Sequence, residues 1–401
     1  MNRHHSRPEA TARNKGGTLS KTLRLRLPAA AAALGTAALV AAAPAAAHHN
    51  HGKQHHHGPR PVYVSLHGAA GKSGHSCKQA KYSSVQDAIE AAPLKGTVVV
   101  CKGTYPGGVN LDRRVILAGK PGATIDATGD AYGIGVSASY ATVVGFTVKN
   151  ANQADQIDDG IVTAAFGPNG PVAADHVKII KNVVTGNLGS GIDLNSTSHS
   201  VAIGNKAIDN GVGINVADDL GKPAARNKVA FNIANRNFGG CGIALADHTG
   251  AGITDNLVCA NEANNNGLST PTAPDASAGS GVILASPVPN AIVTGNVILL
   301  NKFSGNGHAG VVVHAHAPGA DFSGTVIAKN LIGTNNVRTD ENDLKTTGIY
   351  LGSLAPQTIT VTGNQVHDNY YGIFTSGPVT LNSKHNQFHK VTTNVGIFPT
   401  Y

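Results

Sequence analysis

Asp193 and Asn215 each stand two residues after a glycine, Gly191 and Gly213, in a chain of 401 residues. Asp218 and Asp219 follow Gly213 by five and six, and Asp247 and His248 follow Gly242 by the same offsets. His314 and His316 stand four and six after Gly310, while Tyr350 and Phe374 stand two after Gly348 and Gly372. Carboxylates brought into register repel, which raises one pKa toward proton transfer or draws in a cation such as calcium. Hydrolysis of a glycosidic bond uses a carboxylate pair of this kind. Elimination from a uronate needs instead a cation to neutralise the sugar acid and a base to take a proton. An imidazole beside the pair can supply charge or relay a proton. Asp219, Asp247 and His248 are therefore the expected catalytic residues. Asp193, Asn215, Asp218, His314, His316 and Tyr350 are expected to bind substrate. With 4% aromatics and no Trp, Tyr350 and Phe374 are the best rings on which a sugar could stack. Asp and Asn are also ordinary turn residues, so a structural role competes at every position.

These residues share a face only if the segments carrying them repeat. Asparagine pairs five apart recur at Asn182/Asn187, Asn205/Asn210, Asn232/Asn237, Asn256/Asn261, Asn296/Asn301, Asn330/Asn335 and Asn364/Asn369, with Gly145/Asn150 as an eighth copy. A glycine followed by Ile or Val comes after each, from Gly160 to Gly372, at steps of 22 to 39 residues. Between them, runs such as "VKIIKNVV" and "VAIGNKAI" alternate aliphatic with small or polar residues, the period of a strand. With 49 glycines and no long helical run, the pattern predicts a solenoid of short strands. Stacked at roughly 4.8 Å, equivalent asparagines would form amide ladders, and Asn tolerates a left-handed corner. In each Gly-Ile-x-Leu strand the Ile and Leu point inward. Val162, Asp193, Asn215, Ala244, Ile283, Val312, Tyr350 and Phe374 then form one outward row.

The stretch "YSSVQDAIEAAPLKGTVVVCKGTYPGGVNLDRRVILAGKPGATIDATG", residues 82–129, resembles the entry segment of right-handed parallel β-helix proteins of the pectate-lyase-like superfamily. The resemblance runs from Val62 to the C-terminus. It implies an all-β, right-handed parallel β-helix whose open end is covered by a short helix from about Ser84 to Ala92. It implies no single activity, because the superfamily includes lyases, hydrolases, epimerases and members without known chemistry. The Asp158-Asp159 and Asp218-Asp219 doublets are similar to the hydrolase branch, whose Gly-His-Gly and Arg-x-Lys elements are missing here. "ADH" at 246–248 is faintly similar to the epimerase branch.

Residues 1–47 read as a secretory signal peptide: a basic lead, an alanine-rich apolar run and an Ala45-Ala46-Ala47 ending. Arg24 and Arg26 are split by Leu25, which favours the general export route over a twin-arginine one, and a retained anchor is the alternative. The signal holds seven Lys or Arg and one Glu, so the remainder keeps 24 basic and 22 acidic side chains. Its charge falls from +8 to about +2, which removes the case for a nucleic-acid partner. "HHNHGKQHHHG" opens a flexible linker over 48–61, followed by the β-helix domain over 62–401. Six histidines give it loose metal affinity, but no defined metal site is expected. Four cysteines in an exported chain suggest two disulfides. Of three pairings the local one, Cys77–Cys101 with Cys241–Cys259, is favoured, and buried thiols are the alternative.

The expectation is a secreted or cell-wall-associated monomer, off the membrane once cleaved. It binds an acidic polysaccharide or cell-surface glycan in a groove and cleaves or epimerises it, without a required cofactor though calcium is allowed. Whether it is an enzyme at all stays open. A non-catalytic glycan-binding solenoid is one alternative. A metal-handling accessory protein, like the periplasmic copper-maturation branch, is another and would need His314 or His316 to converge with other histidines.

Overall fold

The computed structural model describes residues 59–153, 157–167, 170–268, 279–315, 317–338 and 345–399. The expected signal peptide, most of the His-rich linker and His316 lie outside them. Among the described residues no helix is long and apolar enough to cross a membrane. Short strands pair in parallel, each with its counterpart one coil on, and build a twelve-stranded wall, an eleven-stranded wall and a third wall in two five-stranded parts. This is a parallel β-helix. Helix α1 (Val85–Ala91) starts at Ser84, whose Oγ accepts the Asp87 N–H at 3.2 Å, and it buries Val85, Ala88 and Ile89. It packs on the first strands of the solenoid, including Val62–Val64 and Val109–Leu111, shielding an edge that would otherwise recruit other chains.

Inside, identical positions of successive coils stack. On the eleven-stranded wall Ile134, Ile161, Ile192, Ile214 and Ile243 are in direct register and fully buried. Val282, Val311, Ile349 and Ile373 continue the column.

The asparagines form ladders, and their register differs from the sequence reading. One ladder runs Asn182, Asn205, Asn232, Asn261, Asn301, Asn330, Asn364 and Asn386. A second runs Asn187, Asn210, Asn237, Asn266, Asn306, Asn335 and Asn369. A third holds Asn227, Asn256 and Asn296. Three-residue strands joined by two-residue corners give an interval of five at each of these successive corners, so spacing alone cannot say which corner an asparagine occupies. Asn256 and Asn261, and likewise Asn296 and Asn301, therefore belong one corner earlier than their assigned slots. Each rung is fully used: Asn205 donates N–H and Nδ2 to Asn232 Oδ1 at 2.8 and 3.0 Å, and Nδ2 also to Ile179 O at 2.9 Å. The left-handed residue at the corner is the one before the asparagine, such as Lys181, Phe231 or Leu300, and not the asparagine expected there. The following Gly-Ile motif has its own cause. A Cβ on Gly213 would come within 2.6 Å of the Asn237 amide and 2.3 Å of the Gly242 carbonyl.

Cys77 and Cys101 form a disulfide that ties the lead-in turn to the end of the strand Thr97–Val100, with Cα atoms 5.7 Å apart. The expected Cys241–Cys259 bond is absent, and both residues are buried thiols. Their separation is less than one coil, which places them on different walls. Cys241 precedes the strand Ile243–Ala246 of the eleven-stranded wall, and Cys259 ends a strand of the twelve-stranded wall.

Candidate functional site

The outward row of the eleven-stranded wall has the register that alternation predicts: Val162, Asp193, Asn215, Ala244, Ile283, Val312, Tyr350 and Phe374 are consecutive partners. Its chemistry changes along the axis. At Asp193 and Asn215 the wall borders an open cleft of about 480 Å³, lined also by Asp159, Asn195 and Asp219. Gly189, Gly211 and Gly239, from three successive coils, also line it, and at the first two a side chain would collide: a Cβ on Gly189 would sit 2.2 Å from the Ile157 carbonyl oxygen and one on Gly211 2.1 Å from the Leu188 carbonyl oxygen. Leucines Leu188 and Leu220 flank the opening.

Three carboxyl groups meet here. Asp193 lies mid-strand in Ser190–Asn195, 3% exposed, and accepts from Asn195 Nδ2 at 3.0 Å and Asn215 Nδ2 at 3.1 Å. Asp159 opens the preceding coil's strand, accepts the Ser190 N–H at 2.6 Å and hydrogen-bonds Asp193. Asp219 leaves the corner after the strand Val212–Ala217, accepts from Asn195 Nδ2 at 2.9 Å and meets His248 Nδ1 at 2.5 Å. Asn195 thus bridges Asp193 and Asp219. Burial, then the neighbouring charge of Asp193, raise the Asp159 pKa well above the carboxylate range. Burial, then the charge of Asp219, push Asp193 up to about 7. The hydrogen bond to Asp219 raises His248. The site therefore holds protons on carboxyls that would be bare in water, and the coupled groups titrate as a set.

Asp218 and Asp247, although adjacent in sequence to cleft residues, are fully buried outside it. Asp218 accepts N–H groups from His248 at 2.7 Å and Ala251 at 2.9 Å, and the Thr249 hydroxyl at 2.6 Å. Asp247 accepts from Gly250 N and Ile292 N, both at 2.6 Å. Burial pushes both upward. Bonds from Asp247, Thr249 and the backbone reverse this for Asp218, whose pKa falls, while Asp247 stays raised by burial and the bond to Asp218. A side-chain hydrogen bond joins the two carboxyl groups. The structure thus brings Asp219, His248, Asp193 and Asn215 together and leaves Asp247 and Asp218 as anchors of the turn that carries His248.

His314 and Tyr350 lie on the same wall, several coils toward the C-terminus. The Tyr350 ring is 5.7 Å from His308, 5.8 Å from His314 and 5.7 Å from Phe374, and Phe374 stacks on Phe398 at 4.5 Å. Among the described residues no group of three or more His, Cys, Asp or Glu is placed to hold a metal ion.

Sequence reasoning did not place Asp159 or Asn195 in the site, although Asp159 belongs to the Asp158-Asp159 doublet that it singled out. Asp159 precedes its wall glycine, Gly160, where no later coil carries an acid, so no repeat flagged it. Asn195 lies two residues beyond Asp193 on the same side of the strand, a signal that alternation would have given.

No protein-family model matches the chain, and no curated protein matches it by sequence. Solved structures do. A pectate lyase superposes with a TM-score of 0.57 at 17% identity, covering 82% of this chain and 79% of that one. PfbA, a surface adhesin of Streptococcus pneumoniae, gives 0.56 at 14% identity, covering 84% and 91%. The A-module of an Azotobacter vinelandii mannuronan C-5 epimerase gives 0.52 at 18% identity, covering 78% and 93%. At these identities the likeness carries the fold alone, a right-handed parallel β-helix.

Proposed function

We propose that this chain is an exported glycan-binding protein that cleaves a polysaccharide in the Asp193–Asp219 cleft by acid-assisted hydrolysis. One observation carries the reading: two carboxyl groups share the Asn195 amide across an open cleft, and one of them holds its proton near neutral pH. Asp193 would protonate the glycosidic oxygen, and Asp219 would face the positive charge that develops on the sugar ring. Sharing a single amide nitrogen caps the separation of their bonded oxygens at roughly 6 Å, nearer the spacing of retaining than of inverting hydrolases. Burial and the charge of Asp219 keep the proton on Asp193. Asp218 fixes His248, and His248 fixes Asp219.

The resemblance to polysaccharide-active folds and a surface adhesin supports a glycan partner. The signal-like N-terminus and the Cys77–Cys101 disulfide support export. The test is release of reducing ends from a panel of polysaccharides by the wild type and Asp193→Asn. Loss of a general acid should cost about 10²–10⁴-fold in rate. Binding to a panel member without turnover would show a lectin-like solenoid instead of a hydrolase.

A further inference from the structure

The cleft is rich in acceptors and poor in cations. Asp193 and Asp219 present carboxyl oxygens, and Asn195, only 4% exposed, has an Oδ1 with no hydrogen-bond partner in the protein. That open acceptor adds to the excess of acceptors over donors at the cleft wall. Among the described residues that line the cleft, none is Lys or Arg. The imidazole nearest to it, His248, is committed to Asp219 through Nδ1.

Building on the glycan-cleaving reading, we infer that the sugar unit held against Asp193, Asn195 and Asp219 carries no acid group: the cleft takes a neutral, hydroxyl-rich glycan and selects against uronates. A uronate carboxylate there would face the Asp219 carboxylate, whose imidazole partner is already engaged, with no Lys or Arg in the lining to neutralise it, and like-charge contact in a partly desolvated site is strongly unfavourable. Sugar hydroxyls, by contrast, donate to the Asp219 carboxylate and accept the Asp193 proton. This departs from the acidic polysaccharide expected from the sequence, where Asp and His offsets were visible but the absence of a cation beside them was not.

The experiment uses matched polymers that differ only in charge: polygalacturonate against its fully methyl-esterified form, and alginate against its carboxyl-reduced form, with xylan and a β-glucan as further neutral probes. Retardation in affinity gels at low salt gives the affinity of the full secreted chain for each. The expected result is that neutral members bind at least tenfold tighter than acidic ones. The Asp219→Asn chain, with one negative charge fewer, should narrow the gap. An acidic member that binds as tightly as its neutral counterpart overturns the inference and leaves the glycan reading standing. Failure of every polymer, charged or neutral, to bind or be cleaved overturns the glycan reading itself, and this inference with it.

Discussion

Asp218 and Asp219 are neighbours in the chain and opposites in the fold. Asp218 is enclosed by N–H and O–H donors and hydrogen-bonds Asp247. Asp219 turns the other way, to the cleft, where its partners are one amide and one imidazole. One carboxylate, then, is fully buried, has its hydrogen-bonding capacity used up by backbone and hydroxyl donors, and serves stability. The other is exposed at the cleft with only two side-chain partners, and it is the one placed for chemistry. Burial and saturation by donors together, more than position in a repeat, separate an anchor from a reactive group here.

Breaking the anchor should have the largest effect. Asp218→Ala strands the turn N–H groups and the Asp247 carboxyl, and is expected to lower unfolding free energy by about 3–5 kcal/mol, read by denaturant titration. Asp193→Asn, which removes a buried charge from the cleft, should leave stability at neutral pH unchanged or raised. If the two variants melt alike, the contrast collapses.

The next effect is a pH slope. The Asp193 pKa is about 7 when folded against roughly 3.9 when unfolded. Between these values the folded chain binds more protons than the unfolded one. Its contribution is complete below the unfolded pKa and is lost as pH rises through 7. Thermal stability should therefore fall from about pH 4 to 7, more shallowly in Asp193→Asn. An identical slope in both chains would place the raised pKa elsewhere.

A satisfied amide away from either aspartate pair sharpens the same distinction. Asn232 accepts from Asn205 N at 2.8 Å and donates to Ala202 O at 2.9 Å. Asn232→Ala should cost about 1–3 kcal/mol for the groups it leaves unpaired, with no change in glycan affinity. The smallest effect concerns the thiols. Peptide mapping after unfolding without reductant should recover Cys77 linked to Cys101, with Cys241 and Cys259 both alkylated. Recovery of a Cys241–Cys259 peptide would contradict the wall assignment.

The solenoid was legible because it is periodic. Strand alternation, the recurring glycine and the fivefold asparagine interval each repeat, and the outward row from Val162 to Phe374 follows from alternation alone. Corner identity was not legible, since one interval serves three corners, and so the pairs Asn256/Asn261 and Asn296/Asn301 were each misplaced by one corner. The site was half legible for the same reason. Asp219, His248, Asp193 and Asn215 share offsets from a glycine, whereas Asp159 has no counterpart in other coils. Asp247 shares the offset of Asp218 and was selected for it, but offsets do not reveal which way a corner side chain turns. That depends on the backbone N–H groups of Gly250 and Ile292, the latter forty-five residues away.

The most direct measurement compares glycan hydrolysis by Asp193→Asn, Asp219→Asn and Asp247→Asn, each at a temperature where circular dichroism shows it fully folded. The account predicts that the two cleft variants lose about a hundredfold or more in rate while Asp247→Asn keeps most of it. Full activity in both cleft variants, or a loss in Asp247→Asn equal to theirs, would contradict it.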